Sequence, residues 1–189
     1  MITGLLEEVR ACQICKDELP LGCRPVLNFS ESSKILIIGQ APGTKVHKTG
    51  IPWNDASGDL LRKWLDVSPD EFYNPENFAI VPMGFCYPGK SDSGDLPPKS
   101  ICAITWHDKI LSQLQQVKLT LLIGAYSQKY YLSEEYRNVT DAVVNFENFL
   151  PKYFPLPHPS PRNIGWRLKH PEFEKNIIPV LQSLCKSIL

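Results

Sequence analysis

Between residues 155 and 163 the chain reads PLPHPSPRN, four prolines set around one histidine, one serine and one arginine. These types can do chemistry together. His158 can donate a hydrogen bond to a polarised carbonyl oxygen, Ser160 and the nearby backbone can hold a phosphate, and Arg162 can reach an anionic backbone or a groove. Each proline lowers the entropy lost when that geometry is held. Standing alone, the same residues equally describe a proline-rich turn with a solvated arginine.

A second concentration of such residues is GQAPGTKVHKTGIPWNDASGDLL, residues 39 to 61. Gly39, Gly43 and Gly50 permit tight turns and close approach of backbone N–H groups to a ligand, while Pro42 and Pro52 fix the path. Trp53 can stack on a planar ring, and Asp55 can act as a base or as an anion facing a developing positive charge. The competing readings are a core tryptophan and a helix-capping aspartate, both common.

The cysteines form a third signal. Cys12 and Cys15 make a Cys-x2-Cys pair, while Cys86 and Cys102 flank YPGKSDSGDLPPKSI. A close pair plus two distant cysteines can offer four thiolates to an iron–sulfur cluster or a structural zinc, with Cys23 a competing fourth ligand. Cys185 has apolar neighbours and reads as core. The two distant cysteines can equally be buried small residues.

The elements that must position these loops are short. KILIIG (34 to 39) and LTLLIG (119 to 124) are continuous apolar runs that stop at glycine, the pattern of parallel strands covered on both faces. FAIVPMGF (78 to 85) and YFPLP (153 to 157) are weaker examples. Leu60, Leu61, Trp64 and Leu65 share one helical face, and Asp55 or Ser57 can cap that first turn. ICAITWHDKILSQLQQV and PEFEKNIIPVLQSLCKSIL read as two further helices. Strands alternating with helices predict an α/β fold, a three-layer αβα sandwich around a central, mainly parallel four-stranded sheet. Ligands bind such sheets beyond the carboxyl ends of the strands, which here means GQAPG, CYPGK, GAYSQ and HPSPRN.

Length and composition narrow the classes. The chain has 189 residues, enough for one globular domain spanning 1 to 189. Its 20 acidic and 20 basic residues balance, so net charge gives no general attraction to DNA or to an anionic membrane, and any DNA contact needs a local patch. Lys45, Lys48, Lys90, Lys99, Arg162 and Arg167 lie in or near the loops above and can supply one; they can equally be ordinary solvated surface. The absence of a span-length apolar run and of a basic, apolar leader leads to the expectation of a soluble cytoplasmic protein, where thiols stay reduced.

Together these pieces resemble the uracil-DNA glycosylase superfamily over roughly residues 10 to 165: a strand, GQAPG, a pocket loop with an aromatic residue, a middle strand, then HPSP. Strand-then-GxAPG plus a late HPSP is far more specific than either motif alone. The cysteines Cys12, Cys15, Cys86 and Cys102 look like the four ligands of the 4Fe-4S cluster in the family 4 and family 5 enzymes, with a structural zinc as the alternative. KTGIPWNDASGDLL looks more like family 5, where an aspartate in the corresponding loop is proposed to act in catalysis, which implies Asp55 here. Trp53 matches a phenylalanine that stacks on uracil, and His158 matches the histidine that bonds the base. Two departures stand out. Pro82 occupies the position, four residues before Cys86, where family 4 carries a base-reading asparagine, and Gln40 follows Gly39 where family 4 usually has glutamate.

The resemblance implies an enzyme that extrudes a damaged base, uracil foremost, from DNA and hydrolyses its N-glycosidic bond to start base excision repair. Cleavage leaves positive charge on the sugar and negative charge on the base. Asp55 would face the sugar or orient water, His158 and backbone N–H groups near Gly39 and Gln40 would stabilise the leaving base, and Trp53 would stack beneath it. Ser160 would grip phosphate, Arg162 would line the groove, and the metal would be structural. The expected partner is DNA containing uracil or another deaminated base, met by a monomer, with no membrane involved. Two alternatives remain at this level: a non-catalytic, metal-stabilised nucleic-acid or nucleobase binding module, motivated by Pro82, and a small-molecule hydrolase on the same scaffold. The absence of a P-loop and of a serine nucleophile elbow counts against familiar members of the last class.

Overall fold

A computed structural model of the chain describes residues 2–92 and 94–189. Its main sheet contains β1 (Ile35–Ile38), β2 (Phe78–Ile80), β5 (Leu119–Ile123) and β6 (Tyr153–Leu156), and a separate two-stranded hairpin is made by β3 (Lys90–Ser91) and β4 (Gly94–Asp95). The main sheet has the order β2-β1-β5-β6, and every neighbouring pair is parallel.

The continuous apolar runs are explained by the layers on either side. Along β1, Ile35 and Ile37 join one core with Leu61, Trp64, Leu65, Phe72 and Phe173, whereas Leu36 and Ile38 join another with Leu5, Val9, Phe85, Trp106 and Ile110. Side chains alternate across a strand, so a strand covered on both faces needs apolar residues at every position. Each fully buried leucine, isoleucine or phenylalanine stabilises the fold by about 1.5–3 kcal/mol relative to exposure. The fold is therefore an αβα sandwich with an all-parallel sheet of four strands.

The helix Ala56–Leu65 follows the same logic. Leu61, Trp64 and Leu65 are buried at helical spacing, Asp55 caps the start, and Asp66 closes the end in the left-handed conformation. Two expected helices differ in detail. The segment read as helical over 101 to 117 is helical from Ser100 to Leu111, widened to a π-turn at Ala103–His107. Past Leu111 the chain turns, with Gln113 and Leu114 N–H groups donating to the carbonyls of Ile110 and Leu111. The last helix carries a π-turn at Phe173–Ile177, just before Pro179, whose ring would crowd the preceding turn of a regular helix. No helix among the described residues is long and apolar enough to cross a membrane.

Because all four strands run the same way, their carboxyl ends share one edge. Gly39, Val81, Gly124 and Pro157 leave the sheet there. The stretch GAYSQ, expected as a loop at this edge, is instead the start of a helix, Ala125–Leu132, that begins directly after Gly124.

Candidate functional site

At that edge lies a cavity of about 510 Å3. Gly39, Gln40, Trp53, Asp55, His158, Ser160 and Arg162 all border it, so residues separated by more than a hundred positions in the chain meet in one place. Lys45, Lys90 and Arg162 bring three cations to its lining. Of the other basic residues named from sequence, Lys99 pairs with Glu18 at 2.6 Å and Arg167 with Glu174 at 2.9 Å, while the carbonyl of Lys48 accepts a hydrogen bond from Arg24.

The first loop is folded around Trp53. Its backbone is left-handed, with φ of 55°. A side chain at Gly39 would begin 2.8 Å from Trp53 Cζ2, so the absence of a Cβ there lets the indole lie against the end of β1. Arg62 donates to the Trp53 carbonyl at 3.3 Å, and the ring packs against the core that holds Leu61 and Trp64. Trp53 thus belongs to the core edge and to the cavity wall at once. Asp55 likewise stands in two places at once. Its Oδ1 accepts from the Gly58 N–H at 2.9 Å as the helix cap, and the residue still borders the cavity.

His158 stands opposite. Its ring centroid is 5.7 Å from that of Trp53, with 34° between the planes. Asn163 Nδ2 donates to the His158 carbonyl at 2.8 Å, and Ser160 Oγ accepts from the Arg162 N–H at 3.2 Å, so the HPSPRN turn is braced by its own polar side chains. The strand ends behind it are tied by the buried Gln128, whose Nε2 donates to the carbonyls of Leu122 and Leu156 at 3.2 and 2.8 Å. Burial pushes the His158 imidazole below its ordinary value, an effect partly opposed by the carboxylates of Asp55 and Asp95. The ring is therefore neutral near pH 7 and suited to donating a hydrogen bond rather than carrying charge.

Asp95 escaped the sequence reading. It lies between Cys86 and Cys102, an interval read only for its flanking thiols, and hairpin β3–β4 carries it to the cavity. Its Oδ2 lies 3.6 Å from where a side chain at Gly43 would begin, so the carboxylate sits against the GQAPG turn. Gln40 Nε2 donates to the Leu96 carbonyl at 3.5 Å, holding that turn and the hairpin together. Pro82 also borders the cavity, and its carbonyl contacts Nε2 of the buried His107 at 3.0 Å.

The family model for the uracil DNA glycosylase superfamily matches residues 28–182. The chain belongs to the uracil DNA glycosylase superfamily. A solution NMR structure of a candidate uracil DNA glycosylase from Methanosarcina acetivorans is similar at 17% identity, covering 82% of this chain and 93% of that one with a TM-score of 0.44.

This superfamily member has a second cavity, lined by Cys12, Cys15, Cys23, Cys86 and Cys102 together with Lys99. The thiols are free. Burial raises the Cys86 thiol to about 12 and the Cys102 thiol to about 11, while backbone N–H groups of Arg24 and Phe85, directed at these two sulfurs, act the other way. Cys15 is also raised, first by burial and then by Glu18 and the neighbouring thiols, with Lys99 opposing. Gathered thiols that oppose one another's ionisation, yet receive N–H donors and a nearby ammonium group, suit a cationic metal centre that would hold them as thiolates. Among the described residues, no group of three or more His, Cys, Asp or Glu is arranged to hold a single ion. Cys185, 1% exposed on the last helix, is core.

The two cavities share a wall. Pro82 borders the first, and Gly84, Phe85 and Cys86 border the second. Met83 and Gly84 N–H groups donate to the carbonyls of Gly39 and Gln40 at 2.9 Å each.

Proposed function

We propose that this chain flips a deaminated base, uracil foremost, out of DNA and hydrolyses its N-glycosidic bond. The observation that carries the reading is the meeting of Trp53, Asp55 and His158 with the GQ turn and HPSPRN around one cavity of about 510 Å3, a size suited to a ligand such as a nucleotide. Trp53 stacks on the base, next to His158. His158, neutral and buried, donates to the departing base as negative charge develops on it, assisted by backbone N–H groups near Gly39 and Gln40. Asp55, fixed by its cap to Gly58, faces the sugar cation or orients water. Ser160 holds a flanking phosphate through its hydroxyl proton, and Arg162, Lys45 and Lys90 supply the local positive charge that the neutral chain lacks overall. The working unit is a monomer on DNA in the cytoplasm.

Cys12, Cys15, Cys86 and Cys102 would hold a 4Fe-4S cluster. The cluster is favoured over zinc because zinc needs four sulfurs within about 2.3 Å of one point, whereas a cubane takes one thiolate per iron around a larger core. When bound it supplies a cross-link between the N-terminal segment and the Pro82–Cys86 wall rather than a reacting group.

A second reading, a nucleobase-binding module without catalysis, has one observation in its favour: the wall at Pro82 offers no side-chain amide to read a base edge, and its carbonyl is engaged by His107. One experiment separates the two. A labelled oligonucleotide with a single uracil, treated with the protein and then with alkali, is cut at the abasic site if the glycosylase reading holds, and Asp55→Ala and His158→Ala abolish the cut. Binding without cutting, across uracil, hypoxanthine and xanthine in single and double strands, establishes the binding module instead.

A further inference from the structure

Among the described residues, two side-chain amides border the main cavity, and both donate elsewhere: Gln40 Nε2 to the Leu96 carbonyl at 3.5 Å and Asn163 Nδ2 to the His158 carbonyl at 2.8 Å. Hairpin β3–β4 brings a different donor and acceptor to the same cavity, Lys90 and Asp95. We propose that these two residues read the edge of the extruded base, the Asp95 carboxylate accepting from a ring N–H and the Lys90 ammonium donating to the adjacent carbonyl oxygen, so that the site takes the lactam edge that deamination creates in uracil and hypoxanthine. This rests on the base-extrusion reading above and holds with or without cleavage.

Lys90 and Asp95 stand directly opposite each other in the hairpin register. Opposed residues of an antiparallel pair project to one face with Cβ atoms about 5 Å apart, close enough for their head groups to serve neighbouring atoms of one base edge. Both side chains are exposed, and among the described residues neither makes an ion pair, so both are open to a ligand. The hairpin that carries them is held from several sides. The Leu96 N–H donates to the Gly89 carbonyl at 2.9 Å, Gln40 ties Leu96 to the end of β1, and the Arg162 guanidinium fills the space that a side chain on Gly94 would need. Asp95 Oδ2 lies against the GQAPG turn at Gly43, and the carboxylate is near enough to His158 to act on its ring by charge. A base lying against Trp53 can therefore meet His158 at one edge and the hairpin pair at another.

Deamination reverses the order of groups that such a pair meets. Cytosine and adenine carry an amino donor beside an unprotonated ring nitrogen, whereas uracil and hypoxanthine carry a carbonyl oxygen beside a ring N–H. An ammonium and a carboxylate set for the second order put donor against donor and lone pair against lone pair in the first, so the same two side chains attract one class and repel the other. Thymine and guanine share the lactam edge with an added methyl or amino group, and their exclusion falls to the cavity walls. The pair also balances charge. A carboxylate alone would oppose the negative charge that develops on a departing base, and the ammonium beside it offsets that opposition.

The test uses the full chain and oligonucleotides with one 2′-fluorinated nucleotide, whose sugar resists cation formation and keeps its base, so that fluorescence anisotropy reads binding without cleavage. The base is uracil, 3-methyluracil, which lacks the ring N–H, or cytosine. The wild type binds uracil about 10- to 100-fold more tightly than either of the others. Asp95→Ala binds all three alike. Asp95→Asn keeps a carbonyl oxygen for the ring N–H and still prefers uracil to 3-methyluracil, but its amide can turn an N–H to the cytosine ring nitrogen, so the preference over cytosine falls. Lys90→Met weakens uracil binding and keeps the preference over 3-methyluracil. A wild type that binds the three alike, a preference for uracil over 3-methyluracil that persists undiminished in Asp95→Ala, or an Asp95→Asn protein as selective against cytosine as the wild type each overturns the proposal. Cleavage is read separately on unmodified sugars. A preference that depends on Asp95 in a chain that cuts nothing sinks only the glycosylase reading, and excision of uracil without such a preference sinks only this one.

Discussion

The carbonyl oxygen of Trp53 occupies the space that a side chain on Gly58 would need. The contact locks Trp53 to the first turn of the helix that Asp55 caps. Gly58 serves both partners, since its N–H also donates to Asp55 Oδ1 at 2.9 Å. Gly58→Ala therefore forces the Trp53 backbone out of its left-handed turn. The expected cost is about 2–4 kcal/mol in urea denaturation, with loss of base excision in the folded fraction. A stable Gly58→Ala protein with unchanged excision would show that this turn does not set the site.

Asp55 carries a structural and a proposed chemical role, and one pair of substitutions separates them. Asparagine caps helices as well as aspartate does, so Asp55→Asn keeps the melting temperature while excision falls on the order of 100-fold or more. Asp55→Ala loses the same activity and, in addition, about 1 kcal/mol of stability. Equal activity in Asp55→Asn and the wild type would remove Asp55 from the chemistry and leave it as a cap.

Asp95 acts on His158 through charge. Removing that charge in Asp95→Asn takes away one of the two groups that raise the imidazole, so the His158 titration seen by NMR moves to lower pH. Excision falls by about five- to tenfold as the negative field at the cavity weakens. An unmoved His158 titration would mean that hairpin β3–β4 does not hold its carboxylate at the site in solution.

His47, His107 and His158 are all pushed down from the ordinary imidazole value of 6.5, each chiefly by burial. On acidification the unfolded chain takes up these protons first, and the folded chain only at lower pH. Between the two, stability rises with pH, so it is complete above about pH 6.5 and drains away as pH falls below it. Denaturation midpoints measured from pH 8 to 5 should show this slope, and His158→Asn should lessen it. A slope unchanged by that substitution would place the acid sensitivity in the other two histidines.

How far the site could be read beforehand follows from which residues carry local signals. Buried parallel strands announce themselves because both faces demand apolar residues, as in KILIIG and LTLLIG, and the glycines after them mark the edge where GQAPG begins. Prolines around His158 betray a stiff turn. Hairpin β3–β4 gives no such signal: its strands are two residues each, the residues are polar or glycine, and no apolar alternation marks them. Asp95 was consequently invisible as a site residue. The helix Ala125–Leu132 was missed for a related reason, since Tyr126, Tyr130 and Tyr131 lie around it without a clean apolar face, and of its buried members Ser127, Gln128 and Leu132 only the last is apolar. Trp53 and Asp55 were ambiguous because a residue at the core edge or at a helix cap can also border a cavity, and each of them does. Spacing can say that two placements are open, but only the fold can say that one residue takes both.

The stretch from Pro82 to Cys86 is anchored at one end in the cavity beside Trp53 and His158, at the other in the cysteine cavity, and stitched in between to Gly39 and Gln40. Its residues from Pro82 to Phe85 are buried. A single inserted residue there has nowhere to bulge: it either lifts Pro82 out of one wall or drags Cys86 from the other. This stretch is a ruler, and its length is as much a part of the site as any side chain that borders it.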